Sequence, residues 1–307
     1  MSEILSHSPV NHQCKDVKPT PHQMMNHLRE VEFEKCRTKQ QHCFDSGGCF
    51  YISQIPLLSN ATSKSKYLLL NVFRHIISLS DKVNMEDYVV SDEDKKLVLD
   101  FYKSLYSNTE NLSGVYDDVS SIYDKVNSIT KYAPFKRLAK DIAEFLDHKH
   151  LQEKRILDVG CGNGNLGKSL VEEGFKNIDG LDISEKLLEM CKETKCYNKL
   201  LKVPLTSNPT PGIEENTYDI AVSSGCYVAS HIPLDTLFEL TRIVKPGGYI
   251  FYTLHDPNYT MDYMNWHGKI MKEKKADLIS MTRAPYRLEP KNDFKPTYGY
   301  YVLFKVL

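Results

Sequence analysis

The stretch Ile156-Leu157-Asp158-Val159-Gly160-Cys161-Gly162-Asn163-Gly164 constrains the fold of this chain more than any other. A short apolar run carrying one acid leads straight into glycines at alternate positions. The run has the length and content of a buried strand ending at Val159. Alternate glycines make a tight turn and let a ligand approach the backbone where a Cβ would collide. Asn165 to Leu170 then opens a helix whose free amides face the turn. Together these predict a ligand cradle at the carboxyl end of a parallel strand.

The spacing says which ligand suits the cradle. Dinucleotide sites use G-x-G-x-x-G, whereas this chain has G-x-G-x-G with Asp158 two residues ahead. A carboxylate there would repel a pyrophosphate and attract a cation. A second acid, Asp182, closes the apolar stretch Ile178-Asp179-Gly180-Leu181-Asp182-Ile183, where an acid commonly grips ribose hydroxyls. The competing reading of Asp182 is a helix cap before Ser184-Glu185. That of Asp158 is a carboxylate capping local turn amides.

Strand and helix patterns alternate along the rest of the chain. Strands are expected at 155–159, 177–182, 199–203, 218–223 and 248–254, and helices at 165–173, 184–194, 234–243 and 260–280. Such alternation builds a parallel sheet covered by helices on both faces. The apolar run 298–306 reads as an antiparallel strand paired near 284–289. Upstream, residues 115–149 read as two helices around Ala133-Pro134, with Pro134 in a first turn. Residues 66–80 and 91–107 also read as helical, the latter opened by a capping box at Ser91-Asp92-Glu93-Asp94. Residues 1–65 have weak periodicity and read as a disordered tail. The expected organisation is therefore a tail (1–65), a helical extension (66–112) and an α/β domain (113–307).

The cradle with its two acids resembles the S-adenosylmethionine (SAM) site of class I methyltransferases. Thr217-Tyr218-Asp219-Ile220-Ala221-Val222-Ser223 is similar to that family's fourth strand, and Arg242-Ile243-Val244-Lys245-Pro246-Gly247-Gly248-Tyr249-Ile250 to its helix, turn and fifth strand. Tyr116-Asp117, Tyr123-Asp124, Tyr132-Ala133-Pro134 and the closing Tyr298-Gly299-Tyr300-Tyr301-Val302-Leu303-Phe304-Lys305 resemble the methyltransferase-like family named for the Williams–Beuren chromosome region. The resemblance implies a Rossmann-like fold: a seven-stranded, mostly parallel sheet with a reversed C-terminal hairpin. It implies SAM as cofactor and methyl transfer as activity.

Residue by residue, the resemblance lays Gly160, Cys161, Gly162 and Gly164 beneath the amino-acid part of SAM and Asp158 on its ammonium. Asp182 takes the ribose, and Ile183 one adenine face. The third strand lacks the family's usual acid, leaving Leu205 to touch adenine by packing. Ser223 closes the cofactor contacts at the fourth strand. Tyr116, Tyr123 and Tyr132 are expected over the sulfonium or carboxylate, since ring faces attract cations; the alternative is plain helix packing. His231 and His255 follow the fourth and fifth strands and are the candidate catalytic bases.

The acceptor is narrowed mainly by exclusion. Ser223-Ser224-Gly225-Cys226 stands where methylases of amide or adenine nitrogen carry an Asn-Pro-Pro-aromatic box. A formal net charge of −1 weighs against nucleic acid. A small molecule or a protein side chain is the expected acceptor. The segment 257–283 is either a wall of its pocket or an amphipathic crossover helix. Two other activities compete: a SAM-binding adaptor without turnover, and a nicotinamide oxidoreductase disfavoured by the glycine spacing. No run has the length of a membrane span and no secretory signal is visible, so a cytoplasmic or nuclear location is expected, without membrane partners. Cys14, Cys36, Cys43 and Cys49 lack knuckle spacing, so no metal site is expected. Oligomeric state is not legible.

Overall fold

The computed structural model describes residues 89–107, 109–228, 231–290 and 293–307. The expected tail, the helix at 66–80 and the four N-terminal cysteines lie outside these residues.

Seven strands form one sheet: β1 (Arg155–Val159), β2 (Asn177–Asp182), β3 (Lys199–Lys202), β4 (Tyr218–Ser223), β5 (Val244–His255), β6 (Ala276–Glu289) and β7 (Lys295–Val306). Their order is β3-β2-β1-β4-β5-β7-β6. β1 to β5 run parallel, and β7 inserts antiparallel between β5 and β6. This is the expected Rossmann-like sheet with its reversed C-terminal hairpin. The chain winds outward from β1 to β3, then returns to β4 beside β1. The crevice at that switch point, outside the carboxyl ends of β1 and β4, is where such sheets take ligands.

Burial on both faces explains why β1 has no polar alternation. Ile156 faces a layer built from helices α4 (Pro134–Phe145) and α5 (Asn165–Glu172), with Leu138, Ile142, Leu166 and Leu170 packed on it. Leu157 and Val159 face the opposite layer, where α7 (Thr236–Ile243) and α8 (Met261–Lys272) supply Leu237, Leu240, Tyr263 and Ile270. The remaining helix of the sheet, α6 (Glu185–Glu193), follows β2.

A third apolar cluster sits apart from these. It joins α1 (Asp92–Ser107), α2 (Leu112–Val119) and α3 (Tyr123–Ile129) to the end of β6, through Val98, Phe101, Leu105, Val119, Val126 and Ile129 packed with Leu288 and Phe294. Ser91 caps α1, its Oγ accepting from the Asp94 amide at 3.1 Å. Leu288 N donates to Thr130 O at 2.6 Å and Ala133 N to Tyr286 O at 2.9 Å. The three helices are thus anchored as a cap at the carboxyl edge of the sheet.

Several expected elements differ. The one helix expected ahead of Ala133 is two, α2 and α3, split by a 3-10 turn at Ser120–Ile122, and the strand expected near 284–289 extends back to Ala276. The helix expected over 260–280 ends at Lys272, and β6 begins at Ala276. Lys274 takes a left-handed conformation (φ 53°) that breaks the helix, and Ala276 pairs with Val306. Tyr263, His267 and Ile270 are buried against the sheet, so the segment is a crossover helix followed by a strand. β5 begins at Val244 rather than 248, because its pairing with β4 jumps from Tyr218↔Val244 to Ile220↔Tyr249. The Lys-Pro-Gly-Gly turn sits in that irregularity, where a Cβ on Gly248 would lie 2.6 Å from Asp219 O.

Candidate functional site

The glycine turn is clamped by the end of β2. Gly160 N and Cys161 N both donate to Leu181 O, at 2.8 and 3.0 Å. Gly162 N donates to Asp182 Oδ2 at 2.8 Å. Gly160, Gly162 and Gly164 all have positive φ (70°, 53° and 85°). A Cβ on Gly160 would meet Cys226 Sγ at 2.3 Å, whereas one on Gly162 would meet nothing within 4 Å. The middle glycine therefore faces open space. Cys161 points behind the turn, its Sγ 3.9 Å from Cys191 Sγ. That contact and burial hold its thiol well above the usual range.

Asp158 is 1% exposed. Its Oδ2 accepts from the Tyr197 hydroxyl at 2.7 Å. Its Oδ1 is buried and has no partner among the described residues. Burial pushes its carboxyl up to about 7, against the lowering effect of the Tyr197 bond, and the nearby Asp182 charge adds to the rise. Tyr197 in turn accepts from Gly167 N at 3.0 Å, tying the acid to the first turn of α5.

Asp182 links both loops, since its Oδ1 accepts from Ser184 N at 2.9 Å while Oδ2 holds Gly162. The cap of α6 is Ser184, whose Oγ accepts from Leu187 N at 3.1 Å. Asp182 is thus not that cap, and each of its oxygens keeps a lone pair for a further donor. Burial raises its carboxyl against the pull of those amides.

The other expected residues gather unevenly. Ile183 is half-buried beside Asp182, and its carbonyl accepts from Ser113 Oγ at 2.8 Å. Leu205 is buried in the sheet core. Ser223 spends its hydroxyl on Val159 O at 3.0 Å, joining β4 to β1. Tyr116 and Tyr123 project from α2 and α3, half-buried and within electrostatic reach of Asp182 and Cys226; burial raises both phenols. Burial likewise pushes the Cys226 thiol up to about 12. The Tyr132 hydroxyl lies 3.3 Å from that of Tyr286 and 3.4 Å from Ser224 Oγ.

The two histidines have different surroundings. His231 meets Tyr116 edge-on at 5.7 Å and Tyr106 at 6.3 Å. His255 is 5% exposed and stacks on Tyr286 at 4.9 Å. Burial first, then the Arg287 charge, brings its imidazole down to about 4, so it is neutral at pH 7. The Thr297 hydroxyl gives its proton to Arg287 O, so His255 Nε2–H donates to Thr297 Oγ1 at 2.9 Å. This fixes the tautomer and leaves Nδ1 as the basic nitrogen.

A family profile described as "Methyltransferase domain" matches residues 130–284, about half of the chain and all of the crevice between β1 and β4. The chain belongs to this methyltransferase family. Among curated relatives, a ubiquinone biosynthesis O-methyltransferase of Vibrio cholerae is 31% identical over 107 residues, 34% of this chain and 43% of that protein. Methyltransferase-like protein 27 of Homo sapiens is 31% identical over 108 residues, 35% of this chain and 43% of that protein. The matched segment thus spans less than half of each relative. A solved magnesium protoporphyrin IX methyltransferase from Synechocystis PCC 6803 with bound SAM aligns with TM-score 0.44 and 14% identity, covering 72% of this chain and 100% of that one.

The cofactor that the methyltransferase family implies is SAM. The residues present fit it: a buried acceptor without a partner on the strand that leads into the turn, a middle glycine that opens on space, and a second acid with lone pairs to spare. Sequence reasoning missed Tyr197, which orients the first acid from a loop 39 positions away. It also passed over Asp117 and Asp124, reading only the tyrosines beside them. Tyr197→Phe should lower stability by about 1–3 kcal/mol at pH 8, because it strips a buried carboxylate of its donor. Chemical denaturation measures this, and a change under 0.5 kcal/mol would show that the bond is dispensable.

Proposed function

We propose that this methyltransferase moves the methyl group of SAM to a small molecule held beneath the α1–α3 cap. The observation that carries the cofactor half is Asp158 Oδ1, buried without a partner among the described residues on the strand that leads into the open Gly162 turn. In this reading Asp158 takes the ammonium, and Gly160, Gly162 and Gly164 pass beneath the amino-acid part. Asp182 accepts from the ribose hydroxyls. Ile183 and Leu205 pack on adenine. Tyr116 and Tyr123 turn electron-rich faces to the positive charge.

Bound SAM supplies a methyl carbon already activated by a positive sulfur. The chain has to align an acceptor with that carbon and keep water out. The polar groups available on the acceptor side are the hydroxyls of Tyr132, Tyr286 and Ser224 at the ends of β4 and β6. His231, within the tyrosine cluster, is the candidate base. His255 holds Tyr286 by stacking, and we assign it a positioning role. The cap over the strand ends supports a small acceptor over a protein surface. Among the described residues no helix is long and apolar enough to cross a membrane.

Two outcomes test this reading. Asp158 must be ionised to hold an ammonium, and its carboxyl sits at about 7 without the ligand. SAM affinity should therefore fall about tenfold per pH unit below 7 and level off above it. Calorimetric titration between pH 5.5 and 8.5 measures this; a flat profile would remove Asp158 from the cofactor site. For the acceptor, the protein is incubated with methyl-labelled SAM and a cell extract split by dialysis. Label should enter the dialysable fraction, and label confined to retained protein would contradict a small-molecule acceptor.

A further inference from the structure

Asp117 and Asp124 stand seven residues apart on successive helices, each directly after a tyrosine within electrostatic reach of Asp182 and Cys226. Neither points into the site. The Asp124 Oδ1 accepts from Asn163 Nδ2 and from Asn165 Nδ2, both at 2.7 Å. Asn163 lies inside the glycine turn and is 3% exposed. The Asp117 Oδ1 accepts from Ser184 Oγ at 2.6 Å and from Lys186 N at 3.0 Å. Those partners form the start of α6, right after Asp182. Each carboxylate therefore grips one of the two loops that carry the cradle acids, across 39 to 69 positions of sequence.

From this juxtaposition we infer that Asp117 and Asp124 are positioning residues that latch the α2–α3 cap onto the two cofactor loops and so control SAM retention. The inference rests on the SAM-binding reading above. Its physical basis is the pairing on each helix of one loop-bound aspartate with the tyrosine just before it, Asp117 with Tyr116 on α2 and Asp124 with Tyr123 on α3. When the carboxylates engage, Tyr116 and Tyr123 are brought over the crevice; when they release, both rings leave with the cap. The bonds are short and ionic, the stronger class of hydrogen bond. Ser113 Oγ, donating to Ile183 O at 2.8 Å, adds a third tie to the second loop. Against the raising effect of burial, bonds from Ser184 and the Lys186 amide, with the charges of Lys186 and Lys202, together keep the Asp117 carboxyl below its usual range.

The experiment follows release of SAM from the full chain by stopped flow, for wild type, Asp117→Ala, Asp124→Ala, Asp117→Asn and Asp124→Asn. Each alanine variant should release SAM roughly tenfold faster, the effect of losing one strong hydrogen-bonded tie. The asparagine variants keep an acceptor oxygen and should stay within about threefold of wild type, a rescue that loss of general stability would not give. In wild type, saturating SAM should slow amide exchange across residues 112–129, a measurement that needs no variant. Unchanged release in both alanine variants, or no protection of the cap by SAM, would overturn the latch. Failure of wild type itself to bind SAM would instead overturn the cofactor reading and the latch together.

Discussion

The clamp between the first two strands underlies everything else in the site. Leu181 O takes the amides of Gly160 and Cys161, and Asp182 Oδ2 takes that of Gly162. Three consecutive amides of the glycine turn are thus bound by the end of β2. Gly164 N is also spent, on Cys161 O. A turn whose amides are satisfied internally has little to offer a pyrophosphate, which needs free N–H donors. What it offers is an open glycine face flanked by carboxylates, suited to a ligand with a cationic head and a ribose. In the proposed reading, selectivity against dinucleotides, first read from glycine spacing, has its physical origin in this bonding.

The same clamp explains why the site needs a cap. Asp158 is buried and half-satisfied, and Asp182 is buried with both oxygens engaged. Burial raises the proton affinity of both acids, and the Asp182 charge adds to the rise at Asp158. Hydroxyls and amides temper that rise: Tyr197 on one acid, Gly162 and Ser184 on the other. The arrangement leaves one carboxylate ready for an ammonium. In the proposed reading the cap then supplies aromatic faces from Tyr116 and Tyr123, which lower the cost of a cation without adding charge.

Much of this was legible in the sequence because β1, β2 and β4 are buried on both faces and therefore written as short, largely apolar runs interrupted by single acids rather than by polar alternation. Their limits match the pattern to the residue. The first half of β6 was not legible. It lies on the sheet edge, half-buried, and Ala276 to Ser280 follow an amphipathic helix without a glycine or proline to mark the break. The acids of the cradle announced themselves by position relative to glycines. Tyr197 could not, since its bond to Asp158 is a product of the fold alone. Asp117 and Asp124 were in view as parts of a repeated Tyr-Asp pair, but a surface carboxylate is ordinarily solvated, and only the structure brings Asn163 and Ser184 to them.

The central claim is that the cradle selects SAM through its carboxylates and closed amides. Isothermal titration of the intact protein with SAM, its demethylated product and NAD, side by side at pH 8, tests it most directly. The account predicts saturable binding of both sulfur compounds and none of NAD. Binding of NAD with neither sulfur compound would contradict it.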